Sequence, residues 1–290
     1  MSNDADKPDW TGLPTLERLA QALIDVSNRT MGRKTDWRGQ QASLAFAKVG
    51  VTCMTFLRLI PGSSYYSPAN QWAVWDLSAA ASQARNLIEA YHLLCYLVQE
   101  TPTEAEKQFR QWLWEYHEEF ERHAMLRAAV PDSPNLSSVA QEVDARRTRL
   151  ESSPVFQDLS SGNRQRLLEG KDFKVDGPIE LSRKAGISEN YYRSNYKYCS
   201  AFAHSAPFSI SQLDAFKAGS PKAREVLGTL VSLACGYAAL AIRDFTALFL
   251  DQLSALDPQT KDAIVFWEEL LQWEKSPHFQ GRSKDENQGP

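Results

Sequence analysis

The sequence predicts an all-α fold, a helical bundle with long antiparallel helices. Three observations predict it. Apolar residues recur at three- and four-residue steps through most of the chain, as one face of a helix requires. No pair of segments alternates apolar and polar residues in the manner of strands. Helix start and stop residues punctuate the periodic stretches. At 290 residues and 43% hydrophobic, the chain is long enough to bury a substantial core.

The elements follow in order. Residues 14–31 open with Thr-Leu-Glu-Arg and place Leu16, Leu19, Leu23 and Val26 at helical steps. A polar linker is expected to Gln41, and then a helix from Ser43 to Ile60 that stops at Pro61-Gly62. Asp76 stands where an N-cap should be, ahead of LSAAASQARNLIEAYHLLCYLVQE. Thr101-Pro102-Thr103-Glu104 combines a cap, a proline at the first helical position and a glutamate three residues on, which predicts an aromatic helix reaching about Ala129. The polar segment VAQEVDARRTRLES reads as a surface helix, and 160–177 as short helices and loops. Leu181 to Ala185 is a short helix stopped by Gly186. Residues 190–209 form the next helix, ended by Pro207. A long helix or helix pair spans 221–256 and a last one 258–273. The charged tail 275–290 lacks apolar periodicity and is expected to be disordered, so residues 1–274 are expected to form a single helical domain.

Composition narrows the function. A net charge of −4 gives no general attraction to nucleic acid or to anionic membrane. Cys53, Cys95, Cys199 and Cys235 are widely separated, form no CxxC pair and read as reduced, buried thiols. The start MSNDADKPDW is acidic and is not a signal peptide, so a cytoplasmic location is expected. The apolar run from Val226 to Ile242 is broken by Arg243-Asp244 short of membrane-spanning length and reads as a core helix; no membrane partner is expected.

The chain lacks a GxxxxGK phosphate loop, a GxGxxG turn, HExxH and GxSxG. His117 and His123 are six residues apart, a turn of about 600° that puts them on different helix faces. No metal site and no cofactor are expected. Two polar stripes stand out against apolar surroundings. Arg85, Glu89 and His92 fall at i, i+4 and i+7, with Asn86 beside them, on a helix otherwise wrapped in Leu, Ile, Tyr and Val. So placed, the arginine and the carboxylate are expected to be partly buried and to need partners. Arg193, Lys197, Ser200 and His204 repeat at steps of four, three and four, while Tyr192, Tyr196, Cys199, Phe202 and Ala203 face a core. His204 falls in the last turn, where a histidine serves either as a catalytic group or as a partner for terminal carbonyls.

The segments DLSAAASQARNLIEA and YYRSNYKYCSAFAHSAP together resemble an all-helical bacterial domain family of unknown function, with an Arg-x3-Glu motif and a later Tyr-x3-Ser-x3-His-Ser motif. Arg85, Glu89, Tyr196, Ser200, His204 and Ser205 are the matching positions, and the resemblance covers residues 43–208, with the helices of 221–273 packing on that core. That family is in turn distantly similar to the HEPN superfamily, whose helical domains cut RNA without a metal using an Arg, a polar residue and a His on one helix. Arg85-Asn86 to His92 has that form, with six residues between Arg and His, although the superfamily's motif lies on a later helix and the more family-like histidine is His204. The resemblance implies an RNA-cleaving or RNA-binding effector of bacterial defence or toxin systems. In that case Arg85, Glu89, His92 and His204 are the catalytic candidates. Asn86, Arg193, Tyr196, Lys197, Ser200 and Ser205 bind substrate, and the site opens across a homodimer. Arg146, Arg147, Arg149, Arg164 and Arg166 would form a basic approach, or simply a solvated helix face. Two alternatives use the same residues: a non-catalytic interaction module whose Arg-Glu-His network sets helix register, and a pocket for a small anionic ligand.

Overall fold

The helix Pro221–Thr246 is long and apolar, and buried residues occur all round its circumference. The computed structural model describes residues 12–66, 75–98, 103–204, 207–213 and 217–272. Among these there are thirteen helices and no strand: α1 (Leu13–Thr30), α2 (Trp37–Leu57), α3 (Leu77–Val98), α4 (Glu104–Ala129), α5 (Leu136–Glu151), α6 (Pro154–Gln157), α7 (Ser161–Leu168), α8 (Pro178–Lys184), α9 (Glu189–Ala203), α10 (Pro207–Leu213), α11 (Pro221–Thr246), α12 (Leu250–Ser254) and α13 (Pro258–Leu271). The all-α bundle expected from periodicity is what the chain forms. Its contacts divide it into two compact units, residues 1–99 with 178–290, and residues 100–177.

In the first unit α11 packs against α1, α2, α3 and α13, and α3 in turn packs against α2, α8 and α9. The core is built from full-size side chains, with Phe46 stacked on Phe245 at 4.0 Å and Tyr91 edge-on to Tyr237 at 5.5 Å. Although α11 is long and apolar enough to cross a membrane, here it is the central helix of this unit. One ionic cluster is buried in it. Asp244, 6% exposed, accepts from the Tyr91 hydroxyl at 2.8 Å and from Arg243 Nε at 2.7 Å, and Arg243 also donates to Glu268 at 2.7 Å.

Local chemistry sets the helix ends. Asp76 caps α3 by accepting from the Ala79 amide at 2.8 Å. At the other end Arg38 donates to the carbonyls of Leu97 and Val98, closing two groups that the helix leaves open. Gly186, at φ +82°, ends α8 in a Schellman pair: its amide reaches the Arg183 carbonyl and the Ile187 amide the Ser182 carbonyl. Two boundaries differ from the sequence reading. Helix α2 begins at Trp37 rather than Ser43, because Asp36 caps it through the Gly39 amide at 2.8 Å. The capping box of α4 is Thr103 with Glu106, two residues later than expected. The tail 275–290, expected to be disordered, lies outside the described residues.

The second unit packs α4 against α5 and α6 over Phe109, Leu113, Tyr116, Leu150, Phe156 and Leu167. Its arginines are engaged within the unit. Arg146 pairs with Glu142 and Glu115, Arg149 with Glu115, Arg147 with Glu151 and Arg166 with Asp172, while Arg164 bonds Gln157. Paired in this way, they offer little net charge to a polyanion, which favours the solvated-face reading of this stretch.

Candidate functional site

The first polar stripe arises because α3 has one gap in its apolar wrapping. Leu87, Ile88, Ala90, Tyr91 and Leu94 are buried around it, whereas Arg85 keeps 22% and Glu89 48% of its side-chain surface in solvent. Helix α9, capped by Ser188, buries Tyr192, Cys199 and Phe202 and turns the line of Tyr196, Ser200 and His204 toward α3. Pro207 begins a new short helix, α10, so α9 ends at Ala203 with exposed His204 as its C-cap.

Arg85 joins the two helices. Its Nε donates to Glu89 Oε1 at 3.1 Å, one terminal nitrogen contacts His204 Nε2 at 2.9 Å, and the other donates to the Tyr196 hydroxyl at 3.2 Å. Tyr196 passes its own proton to Glu89 Oε1 at 2.8 Å, and the guanidinium lies 5.2 Å from the centre of the Tyr196 ring. A guanidinium can only donate. His204 therefore takes the bond as a neutral imidazole, with its proton on Nδ1. Burial works against the charge on Arg85, but the Tyr196 hydroxyl and the Glu89 carboxylate outweigh it and hold the pKa above the usual arginine value. Burial, then Glu89, raise the Tyr196 hydroxyl, so this phenol is protonated at neutral pH.

Ser200 sits one turn from both Tyr196 and His204, and its hydroxyl is buried without a hydrogen-bond partner. Of the second stripe, His204 meets Arg85, while Tyr196, which the sequence puts on the core-facing side of α9, reaches both Arg85 and Glu89. His92 differs from expectation. It is 4% exposed, its Nε2 lies 3.0 Å from Ser182 Oγ, and its ring packs among Tyr91, Tyr192 and Tyr237. The single Ser182 proton goes to the Pro178 carbonyl at 2.9 Å, so His92 is the donor in that contact. A seven-residue step keeps His92 on the stripe, but α8 packs against α3 there and His92 is buried.

The remaining candidates are peripheral. Asn86 and Lys197 are exposed, and Arg193 is exposed and paired with Glu189 at 2.7 Å. Ser205 lies outside the described residues. His117 packs on Phe173, and among the described residues no group of three or more His, Cys, Asp or Glu is placed to hold a metal ion. Set against known protein families, curated proteins and solved structures, the chain matches none. It is an all-helical protein, and its site has to be read from its own chemistry.

Proposed function

We propose that the Arg85–His204 face binds a phosphodiester of RNA and cleaves it without a metal, as an HEPN-like effector does. One observation carries the reading. Arg85 spends one N–H on each terminal nitrogen within the cluster, so a second N–H on each remains for a planar, bidentate grip on a phosphate. Beside it stands a neutral imidazole at the solvent boundary. With the phosphate on those spare N–H groups, the ribose 2′-hydroxyl displaces the Arg85 N–H from His204 Nε2, and that nitrogen accepts the hydroxyl proton. The 2′-oxygen attacks phosphorus, the bond to the 5′-oxygen breaks, and the leaving oxygen is protonated from water. The products are a 2′,3′-cyclic phosphate and a 5′-hydroxyl end. Arg85 holds the charge that builds on the phosphorane, and Glu89 with Tyr196 keep Arg85 aimed.

A second reading rests on the same contacts. Arg85 ties Tyr196 and His204 of α9 to α3, which fits a network that only sets helix register. Metal-free incubation with structured and unstructured RNA separates the two. Under the catalytic reading His204→Ala lowers cleavage by about 10²–10⁴-fold, Arg85→Ala abolishes it, and both variants keep the wild-type circular dichroism. Wild-type protein that cuts no RNA, or cutting indifferent to both changes, removes the nuclease proposal. Unfolding of both variants leaves the register network in its place.

A further inference from the structure

We infer that two copies of this chain associate through a pair of complementary faces, the outer stripe of α2 on one copy and the outer face of α13 on the other. Leu44, Lys48, Val51, Thr55 and Arg58 follow one another along α2 at steps of four, three, four and three, which is a single continuous stripe. Leu44 is 66% and Val51 68% exposed, far more than side chains of this size need on a finished surface. Helix α2 contains no acidic residue, and neither Lys48 nor Arg58 has an ion-pair partner among the described residues. Beside the stripe a groove of about 330 Å³ opens between α1 and α2, floored by Leu23 and Gly50 and walled by Met54.

Helix α13 carries the counterpart. Ile264, Trp267 and Leu271 face inward, while Val265 (54%), Phe266 (57%) and Leu270 (43%) project outward between exposed Asp262 and Glu269. An apolar face edged by two cations and an apolar face edged by two acids therefore sit on one molecule. This charge complementarity selects a second copy as occupant. Both helices pack on α1 in the same unit, and a two-fold pairing of copies would form the contact twice, with Phe266 of each copy entering the other's groove.

Sedimentation velocity of the full chain from about 1 to 200 µM measures the association. A dimer is expected in wild type, and monomers in Val51→Asp and Phe266→Asp. Lys48→Glu/Arg58→Glu and Asp262→Lys/Glu269→Lys each weaken self-association by at least about tenfold, and an equimolar mixture of the two recovers it, because each swapped face then meets its opposite. All six positions are solvent-exposed, and unchanged circular dichroism confirms that the variants fold. A wild-type monomer at every concentration overturns the inference and assigns these faces to a different protein. Dimers that persist in Val51→Asp, or a mixture no better than its components, overturn it as well.

Discussion

Replacing Asp244 tests how the first unit is held together. Its carboxylate is 6% exposed and accepts hydrogen bonds from Tyr91 at 2.8 Å and Arg243 at 2.7 Å, so Asp244→Ala strips a partly buried guanidinium of one of its two carboxylates and a buried phenol of an acceptor. Breaking a buried ion pair from one side costs about 3–5 kcal/mol. Tyr91→Phe removes a single hydrogen bond to a charged group, about 1.5–3 kcal/mol. Both changes delete the same 2.8 Å bond, so the double variant should fall short of the sum by about 1–3 kcal/mol. Since a domain's whole stability is about 5–15 kcal/mol, Asp244→Ala alone should shift the urea midpoint visibly. Equilibrium urea unfolding of wild type, both single variants and the double variant supplies the cycle. A cost below about 1 kcal/mol for Asp244→Ala, or strict additivity, would refute the account of this cluster as a coupled buried network.

Alkaline titration gives a second test. Burial raises Tyr192 and Tyr198 to about 12 and also raises Tyr91 and Tyr237. The fold binds these protons more tightly than the unfolded chain, whose tyrosines titrate near 10, so the stabilisation is complete below about pH 10 and declines as the pH climbs toward 12. Tyrosinate absorbance should rise late and together with the loss of helical circular dichroism; early, independent ionisation would count against the burial. All four cysteines are buried thiols outside any disulfide, with Cys53 and Cys199 pushed up to about 12 by desolvation, so a disulfide reagent should label none in the native chain and all four in denaturant. Gly170→Ala and Gly162→Ala should act in opposite directions. Gly170 sits at φ +66° against the Phe120 ring, and alanine there costs at least about 1–2 kcal/mol, whereas Gly162 in α7 has open space and gains about 0.5–1 kcal/mol. Thermal melts that show the same sign for both would contradict the backbone geometry.

Much of the fold was legible because it is written in nearest-neighbour chemistry. Asp76 and Gly186 mark their helix ends through contacts within five residues, which a sequence displays directly. Two helix starts differ because Asp36 and Thr103 supply the cap oxygens, ahead of the apolar run from Ser43 and two residues beyond Thr101. Candidate site residues were legible to the extent that helical period places them. The i, i+4 step brings Glu89 to Arg85, and the i, i+4, i+8 steps align Tyr196, Ser200 and His204. His92 met the same period and was still sealed, because exposure depends on where α8 lies, and no spacing on α3 encodes that.

Sequence by itself determined the all-helical class, most helix ends and the two polar stripes, since each follows from hydrogen bonds and side-chain directions repeating every three or four residues. Only the tertiary structure decided that Arg85 meets His204 across 119 positions of chain, that the arginines of 146–166 are engaged by their neighbours, and that the outer faces of α2 and α13 are exposed among the described residues. Those outcomes depend on how helices pack within each unit, and packing is settled by the sum of many distant contacts rather than by any one stretch of residues.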